Sequence, residues 1–417
     1  MLIRSIFFVG VVHAISAFLT IAQIIYLTRI LGVESWGGIV YLQLIVNYFI
    51  WFSNWGFYLH TTKKLSNSRN DLKKISKIFS TTILSQFFLT LISLFLATIL
   101  IFLSTKFPNK IFTFFIVSGL LIGNLIQPLW LLNGLEKVKE SAAIQAFSKL
   151  LVLPLIFLLI HKSSDAPIFF IINIFVSILV GICFLFWIKY KYKIKFELID
   201  LTEIFNEIKI SSNLFFSMIW ANLYTTIIPM LIGSISGTVS LGYYSLADRI
   251  RSSVLQLLHP VILVLFPRLC FLFKSNPIEA RRLLIKAASL ILIFSLLCSI
   301  LIYFLANIVI YRMSGPSFDP SVNLLKIMSF TIPLMAISDF VMYQVLIPSG
   351  RYNVHHNSRL FILIFSLLFS YPTIVYAGAI GAAWISLILE LALAIFVIYY
   401  SRRTFYNRNI LINAHLP

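Results

Sequence analysis

The sequence predicts an all-α polytopic membrane protein with twelve transmembrane helices in two six-helix lobes. Three observations carry that expectation. Apolar runs of about twenty residues, the length a helix needs to cross a bilayer, recur along the whole chain. Only 11% of the residues are charged and 60% are hydrophobic, with a mean hydropathy of +0.96; soluble chains carry roughly a quarter charged residues. The cations, finally, gather in short loops between the runs. A transmembrane barrel would instead show segments of about ten residues with alternating polarity.

In chain order the runs place spans near 5–31, 38–60, 78–104, 111–133, 142–161 and 167–188. A loop at 189–211 follows, then spans near 212–236, 240–272, 284–311, 322–347, 358–377 and 380–400. The first run follows Arg4 and is not closed by a small-residue cleavage site, so it reads as a retained span rather than a signal peptide. The expected domains are a lobe at 1–188, a cytoplasmic linker with a surface helix at 189–211, a lobe at 212–400 and a cytoplasmic tail at 401–417.

Charge sets the orientation. Of the 33 Lys and Arg, Arg29, Lys106, Lys110, Lys162, Arg312 and Lys326 fall on one side of this pattern. Lys149, Arg249, Arg251 and Arg268 lie within spans, and the other 23, Arg359 among them, fall on the opposite side. Cytoplasmic loops carry the excess of cations, which puts both termini in the cytoplasm. The net charge of +19 is therefore a topology signal and implies no nucleic-acid partner.

The linker KYKYKIKFELIDLTEIFNEIKISSN spaces Leu198, Leu201, Ile204, Phe205 and Ile208 helically, opposite Glu203 and Glu207. It reads either as a surface helix with lysines against anionic headgroups or as a solvated charged linker. The two halves look related. Gly32 and Gly37 have counterparts Gly237 and Gly242 at one shift of 205 residues, where glycine permits a tight hairpin. Six spans return the chain to its starting side, so the repeats are expected to be parallel.

The residue types exclude several chemistries. Cys183, Cys270 and Cys298 have no metal-ligand spacing. There is no phosphate loop and no nucleophile elbow. His355 and His356 are adjacent in a loop, and His13 is either a cavity donor or a core residue. No enzymatic role, cofactor or metal is expected.

The informative stretch is Gly242–Arg268, GYYSLADRIRSSVLQLLHPVILVLFPR. At 100° per residue, Arg251, Asp248, His259, Ser252, Gln256, Arg249 and Ser253 fall on one side of a helix. Charge at membrane depth is expensive unless it faces protein or water. Asp248 and Arg251, at i, i+3, can pair and hold two helices together. One Asp cannot neutralise two Arg on that span, so the face also suits an anion. Acids elsewhere point the same way. Every carboxylate of the first half lies in a loop or at a span end, whereas Asp248, Asp339 and Glu390 are intramembrane in the second. Asp339, with no cation adjacent in sequence, is expected to be the better proton site of the three. Among the prolines within spans, Pro229 is mid-span and reads as a hinge or as a static kink.

GYYSLADRIRSSVLQLLHPVILVLFPRL resembles the eighth span of Wzx-type O-antigen flippases. QPLWLLNGLEKVKESAAIQAFSKLLVLPLIFLL is similar to their fourth-to-fifth-span segment, with Asn133 where Gln is usual, and LTRILGVESWGGIVYLQLI to their first hairpin. The resemblance implies a MATE-like MOP fold whose two lobes alternate in access around a cationic cavity in the bacterial inner membrane. It implies a cargo of undecaprenyl-pyrophosphate-linked oligosaccharide. From their polarity at membrane depth, Arg249, Arg251, Lys149, Gln256 and His259 are the candidate substrate contacts, and Asp339, Asp248 or Glu390 the candidate sites of coupling to a proton or sodium gradient. Membrane lipid, an O-antigen polymerase and a chain-length regulator are the implied partners. A MATE-type drug exporter is the alternative and predicts first-lobe carboxylates, which are absent from these spans. A membrane glycosyltransferase predicts a large outer loop, and none here exceeds about a dozen residues.

Reporter fusions check the orientation. Those after residues 70, 200, 280 and 405 are expected in the cytoplasm and those after 107 and 316 in the periplasm; one inverted pair in the first half breaks the twelve-span order.

Overall fold

The computed structural model describes residues 2–66, 68, 71–107, 109–346 and 352–413, for some of them the backbone alone. The side chains of His13, His259, Cys270, His355 and His356 lie outside the described residues. Among the described residues all regular structure is helical. In order the helices are α1 (Leu2–Asn54), α2 (Phe57–Ser66), α3 (Leu72–Leu103), α4 (Lys110–Leu125), α5 (Leu129–Gly134), α6 (Val138–Leu159) and α7 (Ala166–Trp187). They continue with α8 (Leu201–Ile235), α9 (Gly237–Ser275), α10 (Pro277–Ser314), α11 (Pro320–Ser329), α12 (Thr331–Val341) and α13 (Tyr352–Asn413).

Local chemistry sets these boundaries. Asp71 accepts the backbone N–H of Lys73 and Lys74 at 3.1 Å and starts α3. Asn109 does the same for Phe112 at 3.0 Å, and Asn276, followed by Pro277, starts α10. α1 breaks at Gly32 (φ 73°) and α13 at Gly378 (φ 53°), so each is two helical arms. Seven helices are long and apolar enough to cross a membrane among the described residues. α11 and α12, bent by 41°, make an eighth together. The expected span at 111–133 is found as the single apolar stretch Lys110–Gly134, whose helix is interrupted between α4 and α5 where Pro128 cannot donate to the preceding turn.

The helices pack as two units. The first comprises Met1–Leu31 and Leu42–Ile219, the second Gly32–Tyr41 and Trp220–Pro417. In the first, α3 packs on α4, α4 on α7, α7 on α6 and α2 on α5. One end is closed by an apolar cluster of Leu65, Ile75, Phe79, Trp130, Phe184 and Ile194. Ile194 comes from the linker, whose backbone N–H groups at Lys195 and Glu197 donate to Ser76 Oγ (3.1 Å) and Ser80 Oγ (2.8 Å).

The linker differs from the surface helix expected of it. Residues Ile188–Tyr192 form a π turn, the chain then runs extended, and the helix from Leu201 continues unbroken into the next span. Its acids divide between water and ion pairs, with Asp200 exposed and Glu207 buried. Glu203 pairs with Lys77 at 2.8 Å, and Glu207, 4% exposed, pairs with Lys64 at 2.7 Å and His60 at 3.2 Å. Burial pushes the Glu207 carboxyl upward, but bonds from His60 and Lys64 outweigh it and hold the group below its usual range.

In the second unit α9 packs on α10, α11, α12 and α13. Gly237 (φ 85°) opens α9 as Gly32 opens the second arm of α1. The other glycines of the two pairs serve close approach. A Cβ on Gly37 would lie 1.8 Å from the Thr238 carbonyl oxygen, and one on Gly242 would lie 2.4 Å from the Val33 carbonyl oxygen. Under the 205-residue shift Val33 corresponds to Thr238 and Gly37 to Gly242, so the two contacts are one contact made reciprocally.

That geometry separates neighbouring glycines. Gly37→Ala is expected to cost at least ~1–3 kcal/mol through overpacking against backbone. It should lower both membrane abundance and the melting temperature in detergent. Gly38→Ala, where a Cβ would meet nothing within 4 Å, should leave both unchanged.

Candidate functional site

α9 carries its polar residues in an otherwise apolar helix, and the structure shows what they meet. Asp248 and Arg251 close on each other in a short charge-assisted hydrogen bond. The Arg251 guanidinium then reaches across to α12, where Nη1 donates to Thr331 Oγ1 and to Met335 Sδ, each at 3.2 Å. Thr331 is in turn fixed by its hydroxyl donating to the Met328 carbonyl at 2.6 Å. Arg251 is thus a cross-brace between α9 and α12, with its side chain 11% exposed.

Arg249 takes a different direction. Its guanidinium carbon lies 5.6 Å from the ring centroid of Trp36, a cation–π arrangement. Trp36 is 3% exposed, and its indole N–H meets no acceptor among the described residues. Gly32–Tyr41 packs in the second unit, so the glycine crossing is what brings Trp36 to Arg249.

A third group joins from α13. Tyr244, 3% exposed, hydrogen-bonds to Ser386 and lies in the electrostatic field of Asp248, Arg251 and Glu390. Glu390 is itself 3% exposed. Sequence reasoning read α9 alone and counted an odd cation. In space Tyr244 stands within reach of Asp248, Arg251 and Glu390, so a second acid lies near the α9 pair.

Asp339 needs a larger correction. It was expected to stand apart from any cation, but Arg359 of α13 donates to its Oδ1 at 3.0 Å. Arg359, counted from its sequence position among the cytoplasmic-side cations, is helical with its side chain 12% exposed. The twenty residues separating the pair hid it. An arginine within the apolar run SRLFILIFSLLFS was the available signal.

The remaining expected residues disperse. Gln256 is exposed on α9, and the His259 side chain lies outside the described residues. Lys149 belongs to the first unit, where Nζ donates to Thr20 Oγ1 at 3.0 Å and the Ser16 carbonyl at 3.5 Å. Pro229 sits inside α8, whose helical assignment runs through it. Trp36, Tyr244, Thr331, Met335 and Ser386 were not singled out from the sequence. Among the described residues no group of three or more His, Cys, Asp or Glu is arranged to hold a metal.

Comparisons with known proteins bear on what this arrangement serves. The chain is 26% identical over 380 residues to a protein of Escherichia coli (strain K12) named "Putative O-antigen transporter", covering 91% of this chain and 92% of that one. It is 27% identical over 400 residues to a Shigella dysenteriae protein of the same name, covering 95% and 98%. Its fold matches the lipid II flippase MurJ in an inward closed conformation, with TM-score 0.79 at 14% identity over 98% of this chain and 93% of that one. It also matches an inward-facing multidrug-resistance MATE transporter of the MOP superfamily, with TM-score 0.72 at 14% identity over 94% and 96%. The fold is therefore the MATE-like MOP fold. The model of the family described as polysaccharide biosynthesis protein matches residues 2–273, more than half of the chain. This multi-pass membrane protein belongs to the polysaccharide biosynthesis protein family.

Proposed function

We propose that the protein is a flippase that carries undecaprenyl-pyrophosphate-linked oligosaccharide repeat units from the cytoplasmic to the periplasmic leaflet of a bacterial inner membrane, by alternating access. The family and the named relatives support a lipid-linked polysaccharide as cargo. The observation that carries the reading is the placement of Arg249. It stands beside an Asp248–Arg251 pair already closed on itself, over the ring of a buried tryptophan at the glycine crossing. A guanidinium grips phosphate oxygens bidentately, and a low-dielectric surrounding strengthens the contact. The multidrug-exporter reading shares the fold. It is disfavoured because the first-half carboxylates lie in loops or at span ends, leaving no acid at membrane depth there to hold a cationic drug.

Coupling follows from the same inventory. Burial disfavours the charged form of a carboxyl, which lets it carry a proton. Glu390, at 3% exposure the most enclosed of the three intramembrane acids, is the proposed proton site.

Two experiments test these assignments. Arg249→Ala should lower surface glycan per transporter about 10–100-fold, the worth of a charged hydrogen bond, at normal membrane abundance. Arg249→Lys should rescue only in part. Adding Asp248→Ala should rescue nothing, because Asp248 serves Arg251; recovery there would reduce Arg249 to a counter-ion. For coupling, Glu390→Gln is expected to abolish the dependence of transport on the proton gradient while Asp339→Asn retains it. The reverse outcome would return the assignment to Asp339.

A further inference from the structure

The linker ties most of its acids to cations. Glu203 is held by Lys77 and Glu207 by Lys64 and His60, Glu197 is half-buried with its backbone N–H on Ser80, and Asp200 is exposed. Tyr192 and Lys191 are also fixed inward, both on Glu140, at 2.6 and 3.1 Å. On the exposed side cations and apolar residues outnumber that one acid. Lys189, Lys193 and Lys195 are exposed, and interleaved with them are Tyr190 (75% exposed), Phe196 (56%) and Leu198 (97%). Leu201 (68%) and Phe205 (52%) extend the apolar side along the first turns of α8.

This ribbon begins where a span ends. α7 lies in a stretch of mean hydropathy 2.9, and Trp187 at its end meets the Tyr192 ring edge-on and carries Lys191 Nζ at 4.5 Å. Such amphipathic aromatics sit at the headgroup level of a bilayer. α8, at the ribbon's other end, continues into the next span. Both ends are therefore held near the membrane boundary.

We propose that the outward side of residues 189–205 is a docking surface for anionic phospholipid of the cytoplasmic leaflet. Lys189, Lys193 and Lys195 engage headgroup phosphodiesters, while Phe196, Leu198 and Leu201 enter the acyl boundary. An occupant must be acidic at its surface and apolar just beneath it, and a charged leaflet has both properties in that order. A soluble acidic partner would satisfy the lysines and leave Leu198 in water. The inward ion pairs fix the ribbon to the first unit, so leaflet charge would act on that unit directly. The inference is independent of which cargo the protein carries.

The test places an environment-sensitive fluorophore on Leu198→Cys, with Cys183, Cys270 and Cys298 replaced by Ser, in lipid nanodiscs. Discs containing phosphatidylglycerol should shift the emission to the blue and allow quenching by nitroxide lipids, relative to discs of phosphatidylcholine alone. Combined Lys189→Gln, Lys193→Gln and Lys195→Gln should reduce that lipid preference on the order of a hundredfold, at about fivefold per lysine. The corresponding three Arg substitutions should keep it, and high salt should weaken it. The proposal is overturned if the probe reports the same environment in both discs. It is equally overturned if the Gln variant keeps the anionic-lipid response, or if inorganic phosphate added to neutral discs reproduces the shift. Since the readout is the linker's surroundings and not transport, loss of flippase activity neither supports nor removes it.

Discussion

Two backbones in contact set the terms for the second unit. At the crossing of Gly37 with Thr238 and of Gly242 with Val33, peptide groups approach where any side chain would intervene. Membrane helices lack a hydrophobic drive to associate with each other and depend on close packing, which small residues allow. Here the approach also decides which unit a segment joins. Gly32–Tyr41 leaves the packing of its sequence neighbours and lies with residues some two hundred positions later. Trp36 travels with it, which furnishes Arg249 with its aromatic neighbour.

Around that crossing the intramembrane charges are organised as pairs between or along helices. Asp248 and Arg251 lie on α9, and the arginine continues to α12; Asp339 of α12 meets Arg359 of α13. A pair of this kind contributes little net stability relative to apolar substitutes, yet removing one partner strands the other. Its value lies in fixing which helix faces touch. The cluster of Tyr244, Ser386 and Glu390 ties α13 to the same helix, so α9 is the member that the other polar groups address.

The helical class and the related glycine pairs were legible because they depend on composition and spacing. Gly32, Gly37, Gly237 and Gly242 could be matched by a shift, but a shift does not say that the pairs meet each other rather than each turning its own hairpin. The Asp248–Arg251 pair was readable at i, i+3, since helical geometry alone brings the two together. Arg359 beside Asp339 was not, because their meeting depends on how α12 and α13 pack. The linker misled for a related reason. Its apolar residues do space helically, but Glu207 finds Lys64 and His60 on α2, and that outweighs the tendency of an acid to face water. Burial of Ile194 in the apolar cluster likewise depends on Trp130 and Phe184, which no local pattern connects to it.

The exchanged segment has a consequence for biogenesis. Ribosomes deliver about 5–20 residues per second, so Gly37 emerges roughly 10–40 s before Thr238, the residue it must touch. Over that interval the corner at Gly32–Tyr41 has no second unit to pack into, and Trp36 must wait in lipid, in water or against the insertion machinery. The Gly32–Tyr41 segment therefore cannot reach its final packing when synthesis of the residues up to the linker ends. Maturation is obligatorily late, and a chain truncated after the linker would present this corner to quality-control proteases.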